Sequence, residues 1–359
     1  MHPRLRSHGP FWPADARVRW LAVFALIVTF GALICGGTRA EAATQAALPD
    51  PFAGGRFFVD PASPASAPAL QAQMQGRRAE ARALRLVADT PQSMWFIAAD
   101  DPDRSAYVHD FFTRAALAGS DTMIAVTLHG LPDQVCAGEN APGAQSADQY
   151  RSWINGYARL IGDRRAAIFL EPDALAASPC LAPSRRRLRN ALMTYAARVL
   201  SALPRTGVYE DIGAGDWRSL SQAARLLREA GIRFARGFAL NATHYDWTRP
   251  ELAYGVRLAR LLGGKHFVIN TAFNGRGPRV GPHGFHEWCN PSGRALGPLP
   301  TVRTPNRLAD AFYWIGNPGL SDGHCNGGPT VGEFWLDWAL ELADNSAAAP
   351  DFPVYRSRH

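Results

Sequence analysis

The chain has 359 residues, of which 47% are hydrophobic and 19% are charged, and its formal net charge is +7. Almost all of the basic side chains are arginines, with Lys265 the only lysine, and they are scattered along the chain. Because nucleic-acid binding needs basic residues gathered into a patch, this scatter argues against a nucleic-acid partner. The length fits one large globular domain, and we expect a monomer.

The first 42 residues carry the pattern of a secretory signal peptide. Four arginines between residues 4 and 19 precede an apolar run over 21–36 and the small-residue sequence Ala40-Glu41-Ala42. The apolar run is shorter than the roughly 20 residues that a membrane-spanning helix needs, so we expect cleavage and secretion rather than a stable membrane anchor. An uncleaved anchor is the alternative. The predicted organisation is a signal peptide over 1–42, a linker over 43–54, a catalytic domain over 55–345 and a tail over 346–359.

From about residue 80 onward, short apolar runs alternate with longer amphipathic segments, and an isolated strand candidate precedes them. The longer segments predict helices, one of which has Ser146 and Gln149 in a capping-box pattern and Gly162 at its end, while another begins after Ser184. Regular alternation of this kind predicts a parallel sheet covered by helices, and the length favours a barrel over an open sheet. No Gly-rich phosphate loop follows the early strands, so we expect no nucleotide cofactor. The strand candidates are Phe57–Asp60, Met94–Ala98, Met123–Leu128, Ala167–Leu170, Gly207–Glu210, Phe234–Leu240, His266–Thr271 and Phe312–Ile315.

Aspartates lie at or after the ends of predicted strands, where parallel barrels place their functional groups, and several tryptophans lie near them in the sequence. Any one aspartate there is explained equally well as a turn or helix-capping residue. Several at one rim, beside indole rings, match the needs of glycosidic bond hydrolysis, in which one carboxyl group protonates the leaving oxygen and a second activates water or attacks carbon. The aspartates are Asp60, Asp173, Asp211 and Asp322, and the tryptophans are Trp95, Trp217, Trp288 and Trp314.

Other chemistries have weaker support in the sequence. His283 and His286 lie three residues apart, but no third ligand follows at a supporting spacing, so we predict no metal site. The chain also lacks the Gly-x-Ser-x-Gly elbow of a serine hydrolase. Cys35 lies within the predicted signal peptide, and the four remaining cysteines form an even set, which in an exported chain predicts two disulfides.

The segment Leu170–Ala176, with the sequence Leu-Glu-Pro-Asp-Ala-Leu-Ala, resembles the Glu-Pro-Asp-x-Leu-Ala signature of glycoside hydrolase family 6, the cellobiohydrolases and endoglucanases. The resemblance covers residues 55–345. Further segments that resemble the family are Phe58–Pro61, Met94–Phe96, Leu131–Cys136, Tyr209–Trp217, Gly237–Asn241, Trp288–Gly297 and Pro318–Gly323.

This resemblance implies a distorted parallel (β/α) barrel with fewer than eight strands, acting on β-1,4-glucan with inversion at the anomeric carbon and without a cofactor. It implies that Asp173 is the general acid and Asp322 the candidate base. It also implies disulfides between Cys136 and Cys180 and between Cys289 and Cys325. The residues that it assigns to substrate binding are Trp95, Asp211, Trp217, Asn241 and Trp288.

Several positions depart from the family pattern. Val135 replaces an aspartate that helps to keep the acid protonated, Ala214 replaces a histidine, and His129 replaces a tyrosine near the cleaved sugar. Gly316 and Leu320 replace a lysine and a glutamate that bind sugar. Three functions therefore stay open: a β-glucanase with altered specificity, a hydrolase of a different glycan, and a catalytically weak glycan-binding protein.

Overall fold

The computed structural model describes residues 48–132, 143–281 and 284–346. The predicted signal peptide, the first part of the predicted linker and nearly all of the predicted tail lie outside these residues. No helix in the described part of the chain is both long and apolar enough to cross a membrane.

A seven-stranded parallel sheet forms the centre of the described domain. Gln92, just before the first strand, forms a parallel bridge with Trp314, just after the last one, so the two edges of the sheet meet at one point. The sheet is therefore curled, and the predicted distorted barrel with fewer than eight strands is confirmed. In the order in which they pair, the strands are β1 (Met94–Ile97), β2 (Ile124–His129), β3 (Ala166–Leu170), β4 (Thr206–Asp211), β5 (Gly237–Leu240), β6 (His266–Asn270) and β9 (Ala309–Tyr313).

Helices connect these strands, and a short antiparallel hairpin of β7 (Arg279–Val280) and β8 (His286–Glu287) lies between β6 and β9 in the chain. The predicted cap of the helix after β2 is present, because the Ser146 hydroxyl accepts the Gln149 N–H and Gly162 ends the helix with a φ of 55°. The helices are α1 (Ser66–Met74), α2 (Arg78–Ala88), α3 (Ala106–Leu117), α4 (Ala147–Ile161), α5 (Ala174–Ala177), α6 (Pro183–Ser201), α7 (Leu220–Ala230), α8 (Thr248–Leu261) and α9 (Leu336–Ser346).

The strands are buried on both faces, as expected of a parallel sheet covered by helices. In β3, Ile168 and Leu170 pack in the large core shared with the helices, whereas Phe169 packs in a second core with aromatic residues of other strands. The ring centroid of Phe169 lies 5.9 Å from that of Tyr209 and 6.3 Å from that of Tyr313. The period-two alternation of a strand thus divides its side chains between two cores and fixes which residues emerge at its end.

Three local predictions differ from the structure. The strand predicted over Phe57–Asp60 is reduced to a single bridge between Phe57 and Met123. The fifth strand begins at Gly237 rather than at Phe234. The helix predicted to begin after Ser184 starts at Pro183 with Ala182 as its cap, because proline suits the first helical position, where its missing N–H costs nothing.

Candidate active site

The proposed acid Asp173 lies in the tight connection between β3 and α5. Glu171 and Asp173 both have left-handed backbones, with φ of 54° and 65°, which is unfavourable for residues other than glycine. Such strain persists only where the surrounding contacts hold it, and it is common at functional sites.

The surroundings of Glu171 explain how the strained turn is held. Its carboxylate is fully buried and accepts the backbone N–H groups of Gly130, at 3.0 Å, and Leu131, at 3.1 Å. Burial raises the pKa of Glu171 to about 7, although these hydrogen bonds lower it. The family signature predicts the acid, but it does not reveal that the preceding glutamate ties the turn to the loop after β2.

The carboxyl group of Asp173 has a defined environment. Its Oδ2 accepts the Thr243 hydroxyl at 2.7 Å, whereas its buried Oδ1 has no hydrogen-bond partner among the described residues. The ring nitrogen Nδ1 of His244 lies 3.8 Å from that Oδ1. One oxygen of Asp173 is therefore held by Thr243, and the other is buried beside His244. Sequence analysis did not identify Thr243 or His244.

Asp211, assigned to substrate binding, lies behind the acid instead. It is fully buried, and its Oδ1 accepts the backbone N–H of Asp173 and that of Gly213, each at 2.8 Å. Burial raises its pKa well above the usual range, and the negative charge of Asp173 raises it further. Because no part of Asp211 is exposed, the assignment to direct sugar contact is wrong, and the residue is a positioning residue for Asp173.

Asn241 is also corrected from a sugar ligand to a structural residue. It is fully buried with a φ of 67°, and its side-chain amide donates to the carbonyl oxygens of Asp246 and Asn270, both at 3.1 Å. Its Oδ1 accepts the Asp246 N–H at 3.0 Å. These bonds fix the loop after β5, which carries Thr243.

Asp322, the candidate base, lies in the loop after β9. It exchanges two hydrogen bonds with Asn290: the Asn290 N–H donates to Asp322 Oδ2 at 3.1 Å, and the Asp322 N–H donates to Asn290 Oδ1 at 2.8 Å. Burial raises the pKa of Asp322 to about 7, the Asn290 N–H lowers it, and the charge of Asp173 raises it. Such a carboxyl group changes its charge near neutral pH, which suits proton transfer.

The structure describes both cysteines of one predicted disulfide and one cysteine of the other. Cys289 and Cys325 are bonded, with their Cα atoms 6.1 Å apart, so this predicted bridge joins the loops of Asn290 and Asp322. Cys180 is also disulfide-bonded. Its predicted partner Cys136 lies outside the described residues, as does Val135.

A cavity of about 640 Å³ holds both proposed catalytic groups. Asp173 and Asp322 line it together with Trp95 and Trp288. The indole N–H of Trp95 donates to the Ile315 carbonyl at 2.7 Å, so this ring is fixed, whereas Trp288 is 49% exposed. The cavity therefore offers two indole faces beside two carboxyl groups.

Trp217, also predicted as a sugar platform, lies beside the acid rather than on the cavity wall. Its ring centroid is 5.2 Å from that of His244, which in turn approaches Asp173, and the residue is 36% exposed. Asp60, which also lines the cavity, is paired with Arg114, whose Nε lies 2.6 Å from its carboxylate. Asp60 is thus held as an ion pair.

The structure shows the surroundings of several residues that depart from the family pattern. Gly316 lines the cavity, and a Cβ atom at this position would lie 2.4 Å from the Phe273 ring, so Phe273 leaves no room for a lysine there. Leu320 also lines the cavity, whereas Ala214 is fully buried. Burial lowers the pKa of His129 to about 4, so the imidazole beside Trp95 is neutral at neutral pH.

Known proteins share this fold and sequence. The profile described as "Glycosyl hydrolases family 6" matches residues 52–346. Endoglucanase A from Cellulomonas fimi is 37% identical over 300 residues, which are 83% of this chain and 62% of the relative, so the chain spans about three fifths of that relative. Endoglucanase 1 from Streptomyces halstedii is 35% identical over 301 residues, which are 80% of this chain and 88% of the relative.

A solved structure gives the same result. The endoglucanase Cel6 from Mycobacterium tuberculosis, in complex with methyl-cellobiosyl-4-deoxy-4-thio-β-D-cellobioside, superposes with a TM-score of 0.76 at 40% identity, covering 83% of this chain and 99% of that chain. The catalytic core domain of the cellobiohydrolase Cel6A from Chaetomium thermophilum, at 23% identity and a TM-score of 0.68, covers 83% of this chain and 98% of that chain and shares the fold. Profile, relatives and fold agree with the predicted resemblance, and the chain therefore belongs to glycosyl hydrolases family 6.

Proposed function

We propose that this chain is a secreted glycoside hydrolase that cleaves β-1,4-glucosidic bonds in cellulose-like β-glucan with inversion of configuration. In this proposal Asp173 is the general acid and Asp322 the general base. The observation that carries it is that both carboxyl groups line one cavity with Trp95 and Trp288. Relatives named endoglucanase and a structural neighbour in complex with a thio-linked cello-oligosaccharide derivative support this choice of substrate.

Asp173 supplies the proton to the leaving group. As the bond between the anomeric carbon and the glycosidic oxygen breaks, Asp173 donates its proton to that oxygen. Thr243 and Asp211 support the step by fixing one carboxyl oxygen and the backbone N–H of Asp173, respectively. This positioning confines the carboxyl group of Asp173 to one place at the cavity wall, which lowers the entropy cost of reaching the transition state.

In the same displacement, Asp322 accepts a proton from the attacking water. Water attacks the anomeric carbon from the face opposite to the leaving group, and ionised Asp322 takes its proton, so the product has the inverted configuration. A base with a pKa of about 7 is ionised from neutral pH upward and is a stronger proton acceptor than an ordinary aspartate. Hydrogen bonds to Asn290, next to the Cys289–Cys325 disulfide, hold this loop in place.

The predicted signal peptide and the cysteines support the proposal of secretion. The basic and apolar pattern of residues 1–42 favours export. Disulfides at Cys180 and between Cys289 and Cys325 favour an oxidising compartment.

The cavity wall favours altered fine specificity within the same chemistry. With Phe273 against Gly316, and with Leu320 nearby, this part of the wall offers apolar surface instead of charged sugar ligands. We therefore expect activity on soluble or substituted β-glucans to exceed activity on crystalline cellulose.

The test is to incubate the purified protein with soluble β-1,4-glucan, mixed-linkage β-glucan, xylan and mannan, and to analyse the products. The proposal predicts cello-oligosaccharides from the β-1,4-glucan, and their absence from otherwise identical reactions with Asp173→Asn. Cleavage of only xylan or mannan would show that the substrate is a glycan other than β-glucan. Binding without cleavage of any glycan would contradict the proposed hydrolase activity.

A further inference from the structure

A second group of ligand-type side chains lies outside the proposed catalytic pair. Asp216 follows β4, Asp246 follows β5, and His286 begins β8 of the hairpin. One atom from each side chain lies within 4.8 Å of the other two, and among residues 48–132, 143–281 and 284–346 this is the only such group of histidine, cysteine and carboxylate side chains. Sequence spacing does not reveal the group, because its members come from three separate segments of the chain.

The side chains of this group converge on one point. The His286 Nδ1 atom lies 2.8 Å from Asp216 Oδ2 and 3.1 Å from Asp246 Oδ1. Nδ1 is buried and has no hydrogen bond of acceptable geometry to either oxygen. Ligands at 2.0–2.1 Å around a tetrahedral zinc ion are separated from each other by about 3.3 Å, so the observed distances need only a small adjustment.

A second observation comes from Asp246. The residue is only 7% exposed, and its Oδ2 atom is buried without a hydrogen-bond partner among the described residues. Within those residues, neither Asp216 nor Asp246 forms an ion pair with a lysine or arginine, and His286 is the only basic side chain that contacts them. A buried carboxylate oxygen without a hydrogen-bond partner is costly, and a bound cation removes that cost.

The loops that carry these side chains are held in place without an ion. The backbone of Asp246 is fixed on both sides, because its carbonyl accepts the side-chain amides of Asn241 and Asn274, and its N–H donates to Asn241. Next to Asp216, the Gly215 N–H donates to Glu251 at 2.8 Å. A cation would therefore meet two ligands that are already positioned, and only the hairpin would need to adjust.

We propose that Asp216, Asp246 and His286 form a binding site for a divalent transition-metal ion, with zinc as the best match. Imidazole nitrogen together with carboxylate oxygen is a ligand set that suits Zn²⁺, whereas Ca²⁺ and Mg²⁺ prefer oxygen ligands alone. Three protein ligands leave the fourth position to water. The ion would join the hairpin to the loops after β4 and β5.

An ion at this site would affect the cavity through Trp288, the residue after the hairpin. Trp288 follows directly on β8 and lines the cavity. We therefore assign the ion a structural role, in which it fixes the hairpin that carries Trp288. This consequence rests on the proposed function of the cavity, but the metal site itself does not.

The test is isothermal titration calorimetry with ZnCl₂ on the untagged exported protein after dialysis against EDTA, with CaCl₂ titrated in parallel. One equivalent of zinc is expected to bind, and zinc but not calcium should raise the melting temperature. Asp216→Asn, which changes a half-exposed side chain, and His286→Ala should each weaken zinc binding by at least about 100-fold, since even loss of an outer-shell partner costs 10–100-fold. His109→Ala, which removes an exposed histidine from α3, is the matched control and should bind zinc like the wild type.

Two results would overturn the proposal. In the first, the wild type takes up no zinc, in which case the histidine merely bridges two carboxylates. In the second, zinc binds but Asp216→Asn and His286→Ala bind it as tightly as His109→Ala does, which places the ion elsewhere. Because binding and melting are measured without substrate, neither result depends on whether the protein cleaves β-glucan.

Discussion

Replacement of Asp322 by asparagine should remove activity and also stabilise the protein at alkaline pH. The pKa of Asp322 is raised from 3.8 to about 7, mainly by burial, so its ionised form is disfavoured in the folded protein. Each pKa unit corresponds to about 1.4 kcal/mol, which gives an upper limit of about 4 kcal/mol for the cost of ionisation on folding. Because the residue keeps some contact with solvent, we expect about 2 kcal/mol.

The sign of the effect depends on pH. Below about pH 4 the carboxyl group is protonated in both the folded and the unfolded chain, and it costs nothing. Between pH 4 and 7 the unfolded chain releases the proton first, so the folded state loses stability as the pH rises. Above pH 7 the full cost is present. Asparagine carries no charge and keeps an oxygen that can accept the Asn290 N–H, so the Asp322→Asn protein should avoid this loss.

The assay is urea unfolding of wild type and Asp322→Asn at pH 4 and pH 8, with Asp344→Asn as a control at an exposed aspartate of α9. The free energy of unfolding of Asp322→Asn minus that of the wild type should be about 2 kcal/mol larger at pH 8 than at pH 4. The same difference for Asp344→Asn should not change with pH. Equal differences at the two pH values would refute the argument that burial of this carboxyl group opposes its ionisation.

Three further predictions concern the acid and the cavity wall. Asp173→Asn should lower kcat at least about 100-fold while leaving the Kd for cello-oligosaccharides nearly unchanged, measured by steady-state kinetics and calorimetry; wild-type turnover would show that another group is the acid. Thr243→Val should lower kcat and shift the pH–rate profile, because valine cannot donate a hydrogen bond to Asp173. Thr243→Ser keeps that hydrogen bond and should behave like the wild type. If Thr243→Val had the same kcat and pH–rate profile as the wild type, Thr243 would not position Asp173. Gly316→Ala should reduce the free energy of unfolding by about 1–3 kcal/mol in urea titrations, since its Cβ meets the Phe273 ring, and an unchanged midpoint would show that the ring moves aside.

The Glu-Pro-Asp segment is a local pattern that led to the proposed acid Asp173. The sequence was also sufficient for the sheet, because short apolar runs are local patterns. It was not sufficient for Asp211 and Asn241, since exposure depends on what packs around a residue. Both are fully buried, which no local pattern of theirs indicates. The two were assigned to sugar contact by resemblance, and their hydrogen bonds instead fix the backbone of neighbouring loops.

Contacts between segments that are distant in sequence could not be predicted either. His286 has no ligand partner nearby in sequence, but the fold brings it to Asp216 and Asp246. Phe57 was expected to begin a strand on the strength of its aromatic neighbours, but it pairs only at a single position, because strand length depends on the partner that is available.

The most direct test of the proposed mechanism is the configuration of the first product. Proton NMR spectra recorded during the early hydrolysis of a soluble cello-oligosaccharide, before mutarotation equilibrates the anomers, show whether the new reducing end is α or β. The proposed acid protonates the leaving oxygen on one face of the sugar, and the proposed base activates water on the opposite face, which predicts the α anomer. A first product in the β configuration would contradict inversion and with it the role assigned to Asp322.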